Sequence, residues 1–261
     1  MKARIKRLIK RYLAQKSRIR WLVSSNRDSG LKTQIHILLA KDTRYIYFAR
    51  ICAESFLHYH PLCSVILHCD DSTYFKTVKY FKVTKKFRNV EIVNNLYQNK
   101  SWQMSKLELL LSLNGTDGIY VDSDLRWNNS IKSLDNITFF VREFKFIDSV
   151  EYQKLFSQIN YSLLGNEYMW NTSFFTFAKH KVTDETINNV INFYYFFLKS
   201  IEKISDKKTN FNSIARLSEQ ISMSIFARSF SENVEALKIS DSRLDGKIAE
   251  STYFGSTGLG F

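Results

Sequence analysis

Apolar and polar positions in the first half of the chain follow two different periods. Short apolar runs bounded by polar residues predict four strands: two buried ones at 35–39 and 65–69, a shorter one at 90–93 and an apolar one at 118–121. Apolar residues at helical spacing predict three helices between these strands, over 43–59, 72–82 and 102–113. Pro61 ends the first of these helices, and Asn114-Gly115 ends the third. Strands that alternate with helices in this way predict an α/β fold, with a largely parallel sheet and helices on both faces.

The second half of the chain has a less regular pattern. We predict three strands there, at 137–141, 173–177 and 235–239, and two helices, over 183–204 and 213–229. The aromatic run at 193–197 is interpreted as part of the core rather than as a ligand site. With a polar linker at 24–33, the chain divides into a basic N-terminal helix at 1–23, one domain at 24–248 and a mobile Gly- and Ser-rich tail at 249–261.

The charge of the chain is concentrated at its N-terminus. The formal net charge is +13, and residues 1–20 hold nine basic residues and no acidic one. In the same segment an apolar stripe runs at helical spacing through Ile5, Leu8, Ile9, Tyr12 and Leu13. A basic amphipathic helix of this kind favours an anionic membrane surface as its partner. The alternatives are a helix that packs on the domain and, less favoured, a nucleic-acid contact, because aromatic residues are not interleaved with the basic ones.

Cysteine and histidine usage argues against a disulfide framework or a zinc site. The three cysteines, Cys52, Cys63 and Cys69, form no C-x-x-C pair, which fits a reducing cytoplasm. The clustered histidines His58, His60 and His68 lack metal-ligand spacing and are interpreted as structural. We find no apolar run near the roughly 18 residues of a membrane span and no signal-peptide pattern. We therefore expect a cytoplasmic protein, peripheral at the inner face of the membrane.

The pattern with the most direct chemical meaning is Asp122-Ser123-Asp124, which follows the apolar strand at 118–121. In open α/β sheets, ligands bind beyond the carboxyl ends of the strands. Two carboxylates in a turn at such an end can approach one hard cation, Mg²⁺ or Mn²⁺, which keeps coordination positions for phosphate oxygens. A loop turn with solvated acids is the alternative.

The stretch WQMSKLELLLSLNGTDGIYVDSDL at 102–125 resembles the core of nucleotide-sugar glycosyltransferases of the GT-A fold, and most those related to bacterial lipopolysaccharide and capsule transferases. The resemblance implies a Rossmann-like, mixed but mostly parallel sheet flanked by helices. It implies that Asp122 and Asp124 bind the divalent ion and the donor, with Asp124 also catalytic. It further implies that Trp102, Lys106 and Ser123 contact the donor.

Shorter stretches extend this resemblance over residues 34–228. The segment WNTSFFTF is similar to the strand that lines the donor-sugar pocket, which implies a donor contact for Asn171. The segment SEQISM implies that Gln220 faces the donor and that Glu219 is catalytic, as a base or as a group that stabilises the donor sugar. The segment IHILLAKDTRYIY resembles the nucleotide-binding opening of the fold, where Ala40 and Arg44 lie.

Three positions in this scheme have alternative interpretations. Asp70 follows the second strand and could bond the ribose or base, or cap the next helix. Arg44 could reach a phosphate or be solvated. Many relatives supply a histidine near the C-terminus as a further metal ligand, but the tail of this chain has none, so Asp245, Glu250 or water would take that place.

The function implied is that of a metal-dependent, hexosyltransferase-like glycosyltransferase. It would move a sugar from a nucleotide-diphosphate donor to a glycan or lipid-linked acceptor in cell-surface polysaccharide or lipopolysaccharide synthesis, with no nucleic acid as partner. A haloacid-dehalogenase phosphatase is disfavoured because Arg126 stands where that pattern has Thr or Val. A nucleotidyltransferase lacks its Gly-rich loop, and a non-enzymatic membrane- or nucleic-acid-binding module leaves residues 102–125 unexplained.

Overall fold

The computed structural model of the chain describes nine stretches of residues, 31–82, 89–96, 101–113, 117–125, 127, 137–177, 183–204, 208–227 and 234–236. The chain divides into two compact units. The first comprises Met1–Gln98, Tyr120–Ser133 and Lys238–Phe261, and the second comprises Asn99–Ile119 and Leu134–Leu237. The predicted N-terminal helix at 1–23 and tail at 249–261 lie outside the described residues, and the domain boundaries stay a prediction.

The first unit is built from β-strands and helices in strict alternation. Its elements are β1 (Gln34–Leu39), α1 (Tyr45–Tyr59), β2 (Ser64–Cys69), α2 (Asp71–Lys82) and β3 (Val90–Asn94). The strands pair in parallel in the order β3-β2-β1, with Gln34 opposite Ser64 and Val65 opposite Val90. Burial of β1 from Ile35 to Leu39 explains its nearly continuous apolar run, which His36 alone interrupts, since strands covered on both faces need not alternate.

The second unit carries most of the aromatic core. Its elements are α3 (Trp102–Ser112), β5 (Ile137–Lys145), a 3-10 turn (Phe146–Asp148), α4 (Val150–Gln158), β6 (Tyr168–Phe177), α5 (Asp184–Ile204), α6 (Lys208–Ile225) and β7 (Val234–Ala236). Strand β5 is antiparallel to β6 and parallel to β7. Strand β4 (Gly118–Val121) is buried along its whole length, and the division between the units falls in its middle.

The predicted α/β fold with a mixed, mostly parallel sheet is confirmed by these pairings. The aromatic run on α5 is only partly core: Phe193, Tyr194 and Phe197 are buried, whereas Tyr195 and Phe196 are exposed. The helical period explains this, because Phe193 and Phe197 share a face with buried Ile201. Among the described residues, no helix combines the length and the apolar character that crossing a bilayer requires.

Several elements differ from the sequence prediction. Helix α4 was not predicted, because its nine residues carry only a short apolar stripe, Tyr152, Leu155 and Phe156. Strand β6 begins at Tyr168, five residues before the predicted start. The prediction began too late because polar Asn171 and Thr172 precede the apolar run at the end of the strand. The predicted starts and ends of α6 and β7 differ from the structure by a few residues as well.

A buried histidine pair joins β1 to β2 in the first unit. Nδ1 of His36 lies 2.9 Å from Nε2 of His68, and the two rings stack with centroids 5.2 Å apart. Nδ1 of His68 in turn lies 3.1 Å from the side-chain oxygen of Asn95. Burial lowers the pKa of His36 to about 3 and that of His68 to about 4, and the neighbouring ring adds to the effect at His36. Both rings are therefore neutral in the folded protein near pH 7.

We expect this pair to make the protein acid-labile well above the range in which carboxylates titrate. In the unfolded chain the two histidines bind protons at about pH 6.5, so stability is complete above that pH and falls as pH drops towards 4. The loss between pH 7 and pH 5 should be about 2–4 kcal/mol. Urea unfolding at the two pH values measures it, and His36→Gln should remove about half of the difference. An unchanged difference in this variant would contradict the assignment.

Candidate active site

The carboxylates Asp122 and Asp124 lie in a turn directly beyond β4. The backbone N–H of Leu125 donates to the carbonyl oxygen of Asp122 at 3.2 Å, which closes the turn. The hydroxyl of Tyr120, on the strand itself, donates to Oδ1 of Asp122 at 2.7 Å and orients that carboxylate. Asp124 is 7% exposed, and Ser123 is equally buried. The expected turn at the strand end is present, so both acids belong to one short, oriented segment.

The side chains packed beside this turn are uncharged. The thiol of Cys52 lies 3.9 Å from the carbonyl oxygen of Asp122. Burial raises the pKa of Cys52 far above its ordinary value, and the negative charge of Asp124 raises it further. The thiol is therefore protonated and inert near neutral pH. Trp127 follows the turn, where its backbone N–H donates to Ser55 at 3.0 Å and its ring packs edge-on against Phe56.

The turn suits a hard cation that is shared with a ligand. Two carboxylates, one of them oriented by a hydroxyl, are the oxygen ligands that Mg²⁺ and Mn²⁺ take alongside phosphate oxygens. Across the described part of the chain, no group of three or more His, Cys, Asp or Glu side chains is placed to hold a metal ion. Asp245 and Glu250, the sequence candidates for a further ligand, lie outside that part. The residues present fit a cation held in part by the protein and in part by substrate.

The loop between β1 and α1 contains an ion pair between Asp42 and Arg44. The guanidinium Nε of Arg44 donates to Oδ1 of Asp42 at 2.8 Å, and the backbone N–H of Arg44 donates to the same oxygen at 2.9 Å. This bond raises the pKa of Arg44, whose side chain is largely exposed. Ala40 supplies its carbonyl to the backbone N–H of Asp42 at 2.7 Å. The donor contacts of Ala40 and Arg44 stay predictions, and the structure adds Asp42 as the partner of Arg44.

Asp70 is 1% exposed and caps α2. Its Oδ1 accepts from the backbone N–H of Thr73 at 3.0 Å and from the hydroxyl of Ser72 at 2.7 Å. Its Oδ2 accepts from the backbone N–H of Lys41 at 2.7 Å. Of the two interpretations of Asp70, the helix cap is therefore present in the structure, and the contact with a ribose or base stays a prediction.

A buried polar cluster lies in the second unit and joins α3, β6 and α6. The ammonium of Lys106, 1% exposed, donates to the carbonyl oxygen of Thr172 at 2.6 Å and lies 3.1 Å from its hydroxyl. It also lies 3.2 Å from Oε1 of Glu219. The Thr172 hydroxyl lies 3.3 Å from the other oxygen of Glu219. The structure thus brings together the predicted residues Lys106 and Glu219 and adds Thr172, which sequence reasoning missed.

A second, more accessible group of polar side chains lies beside this cluster. Oε1 of Glu143 accepts from Nδ2 of Asn171 at 3.3 Å and from Nε2 of Gln220 at 3.4 Å. Burial raises the pKa of Glu143 against the opposing effect of these two amides. Ser173 donates its backbone N–H to Asn171 Oδ1 at 3.0 Å. Asn171 and Gln220 were predicted, whereas Glu143 was not. The available signal was a lone acidic residue in the otherwise apolar and basic segment FVREFKF.

Trp102 begins α3 and is 41% exposed. The residue before it, Ser101, caps the helix: its hydroxyl oxygen accepts from the backbone N–H of Met104 at 3.2 Å and lies 3.0 Å from the hydroxyl of Tyr194. These bonds fix the start of α3 and leave the indole of Trp102 open to solvent. Its contact with a donor stays a prediction.

No protein-family model matches the chain, and no curated protein matches it by sequence. Solved structures with a similar fold include the galactosyltransferase LgtC in complex with donor and acceptor sugar analogues, at 12% identity over 78% of this chain and 73% of that one, with a TM-score of 0.49. Mouse xyloside xylosyltransferase 1 is 10% identical over 86% and 94%, with a TM-score of 0.44. A mannosyltransferase from Pyrobaculum calidifontis in complex with GDP-Man and Mn²⁺ is 10% identical over 93% and 89%, with a TM-score of 0.37.

Each of these three proteins is a glycosyltransferase, and every one of the TM-scores is below 0.5. The chemistry of this chain rests on its own side chains, which form a pair of carboxylates beyond β4, Asp122 being oriented by Tyr120, and a buried polar cluster around Lys106.

Proposed function

We propose that this protein is a metal-dependent glycosyltransferase that takes a sugar from a nucleotide-diphosphate donor. The observation that carries the proposal is the turn that presents Asp122 and Asp124 directly beyond the buried strand β4. In parallel α/β sheets this edge is where ligands bind, and two acidic side chains there require a cation as partner when the ligand is itself an anion. A diphosphate is the anion that such a cation serves best.

Asp122 and Asp124 would hold Mn²⁺ or Mg²⁺ in this proposal. The bound cation supplies charge neutralisation of the diphosphate leaving group. Tyr120 keeps the Asp122 carboxylate in one orientation through its 2.7 Å bond, which limits the reorganisation needed on binding. Cys52 contributes no charge beside the two aspartates at neutral pH, because burial raises the pKa of its thiol.

The polar cluster of the second unit supplies groups suited to a sugar. Sugar hydroxyls need donors and acceptors held in fixed directions, and Asn171, Gln220 and Glu143 offer amide and carboxylate groups tied to one another. Glu219 is held against Lys106 and Thr172, so its carboxylate is fixed and charge-compensated. A fixed carboxylate can orient or stabilise a donor sugar, or accept the proton of an acceptor hydroxyl. A simple membrane- or nucleic-acid-binding module has no need of such a cluster.

In this proposal the acceptor is a glycan or a lipid-linked glycan at the inner face of a membrane. Support comes from the sequence of residues 1–22, with nine basic residues, no acid and an apolar stripe. Each basic residue near an anionic surface contributes about 1 kcal/mol, so a few that face the lipid suffice to hold the protein there.

We expect the full chain to sediment with vesicles that contain anionic lipid and to be released by salt. The attraction is screened because the Debye length falls from about 10 Å at 0.1 M salt to about 3 Å at 1 M. A chain that lacks residues 1–22 should stay in the supernatant while its far-UV circular dichroism is unchanged. Unfolding of the shortened chain would instead assign the stripe to the core.

The proposed function is tested by incubating the protein with a panel of sugar nucleotides and measuring release of the nucleoside diphosphate. We expect release from one donor when Mn²⁺ or Mg²⁺ is present and none in excess chelator. Release that is indifferent to the cation would contradict the metal role, and no release from any donor, with no nucleotide binding, would contradict the transferase assignment.

A further inference from the structure

Lys41 has a backbone conformation that residues with a side chain rarely adopt. Its φ is +63°, in the left-handed region, and it lies in the β1–α1 loop of the first unit. A residue other than glycine is disfavoured there, because its Cβ approaches the following carbonyl oxygen. Inside the loop, the bond from the backbone N–H of Asp42 to the carbonyl oxygen of Ala40 spans Lys41 at 2.7 Å, and a second contact comes from outside the loop.

The contact that holds it comes from Asp70, at the end of the neighbouring strand β2. Oδ2 of Asp70 accepts from the backbone N–H of Lys41 at 2.7 Å, while Oδ1 is occupied by the cap of α2. The Thr73 hydroxyl, at the start of α2, lies 2.6 Å from the carbonyl oxygen of Leu39 and 2.9 Å from Oδ1 of Asp70. Asp70 and Thr73 thus bind the last residue of β1 and the second residue after it.

Hydrogen bonds keep the Asp70 carboxyl group in its ionised form. Burial alone would raise the pKa of Asp70, but the bonds from Ser72, Lys41 and Thr73 outweigh it and hold that pKa below its ordinary value. The carboxylate is ionised at neutral pH, and hydrogen bonds to an ionised acceptor are about twice as strong as neutral ones. One buried carboxylate therefore joins two backbone segments that both lie at the carboxyl edge of the parallel strands.

We propose that Asp70 is a positioning residue that holds the β1–α1 loop in the form that binds the nucleotide, acting through Lys41 rather than by contact with the ligand. This inference rests on the proposed function, because the loop lies at the edge of the strands where the nucleotide of the donor would bind. The bond to Lys41 keeps the backbone of Ala40, Lys41 and Asp42 fixed before the ligand arrives, which lowers the ordering cost of binding.

The variant Asp70→Asn separates the loop contact from the helix cap. Asparagine caps helices as well as aspartate does, so its oxygen can keep the bond to Thr73 and α2 remains stable. Its amide group then faces the N–H of Lys41, donor against donor, and the loop contact is lost. We expect the melting temperature to fall by several degrees, because a buried N–H is left unpaired while the cap of α2 is kept. Trypsin cleavage after Lys41 and Arg44 should accelerate, and the affinity for a nucleoside diphosphate should fall about tenfold. The probes are UDP, GDP, CDP and ADP, each with Mn²⁺.

Two further variants make the test specific. Asp71→Asn changes the neighbouring exposed carboxylate, which accepts from the side chain of Asn94 at 2.7 Å, and should leave cleavage and affinity at wild-type values. Lys41→Gly in the Asp70→Asn background should leave the affinity low, because glycine relieves the strain at φ near +63° but keeps the two opposed N–H groups and lets the loop move further. A merely structural role of Asp70 would instead lower the melting temperature and leave the affinity of the folded protein at its wild-type value.

The outcomes separate this inference from the function on which it rests. Faster cleavage and weaker nucleotide binding in folded Asp70→Asn, with wild-type values in Asp71→Asn, support the positioning role. Unchanged affinity in Asp70→Asn, while the wild-type protein binds one of the nucleotides, overturns the inference and leaves the proposed function standing. A wild-type protein that binds none of the four nucleotides contradicts the proposed function itself, and with it the role of Asp70.

Discussion

Lys106→Met is expected to destabilise the protein by about 3–5 kcal/mol, the cost of leaving a buried carboxylate without its cation. The side chains of Lys106 and Glu219 are 1% and 3% exposed, and their charged atoms lie 3.2 Å apart. Methionine keeps the length of the side chain but removes the charge and the bonds to Thr172. The free energy of unfolding in urea, compared with the wild-type protein, measures the effect.

Two controls distinguish the ion pair from a general effect of losing a lysine. The double variant Lys106→Met/Glu219→Gln removes both charges and should recover most of the lost stability, since no uncompensated charge remains. Lys199→Met, on the exposed face of α5, should change the stability by no more than about 0.5 kcal/mol. Equal stabilities for Lys106→Met and Lys199→Met would show that the ammonium of Lys106 is solvated and the cluster is not a buried ion pair.

Asp124→Asn is expected to weaken the Mn²⁺-dependent binding of a nucleoside diphosphate by 100-fold or more. Loss of a group that only orients a metal ligand typically costs 10–100-fold in metal affinity, and loss of the ligand itself costs at least as much. Asparagine has the shape of aspartate, so the packing beside Cys52 and the circular dichroism should be retained. Titration calorimetry at one fixed Mn²⁺ concentration, the same for both proteins, measures the change.

Tyr120→Phe and Asp117→Asn complete this series. Tyr120→Phe removes the hydroxyl that orients Asp122, and we expect an intermediate loss of about 10–100-fold. Asp117 is an exposed carboxylate just before β4, and Asp117→Asn should bind the nucleotide as the wild-type protein does. If Asp124→Asn and Asp117→Asn bind equally well, the turn beyond β4 does not hold the cation.

The first unit could be predicted from the sequence because each of its elements carries a strong local signal. The runs at 35–39 and 65–69 are buried on both faces, and Pro61 marks the end of α1 at Tyr59. The turn at Asp122 was predictable for the same reason, since the strand before it is wholly apolar. A local sequence pattern is enough to predict a strand or helix when one or both of its faces must be apolar.

The parts that could not be predicted depend on contacts between residues far apart in the sequence. Glu143 and Gln220 are 77 residues apart, and Lys106 and Thr172 are 66 apart, so no local pattern marks either pair. The loop contact of Asp70 has the same character, because the sequence shows a cap candidate but not the backbone N–H of Lys41, 29 residues earlier. Helix α4 was missed because it has only nine residues, so its stripe of Tyr152, Leu155 and Phe156 is too short to establish a helical period in the sequence.

The central claim is that Asp122 and Asp124 bind a nucleoside diphosphate through a divalent cation. The most direct measurement is titration calorimetry of the 261-residue chain with UDP, GDP, CDP and ADP, each with about 1 mM Mn²⁺ and again with excess EDTA. We predict that at least one nucleotide binds with Mn²⁺ and that its binding is lost in EDTA and in Asp124→Asn. Equal binding with and without the cation, or no binding of any nucleotide, would contradict the account.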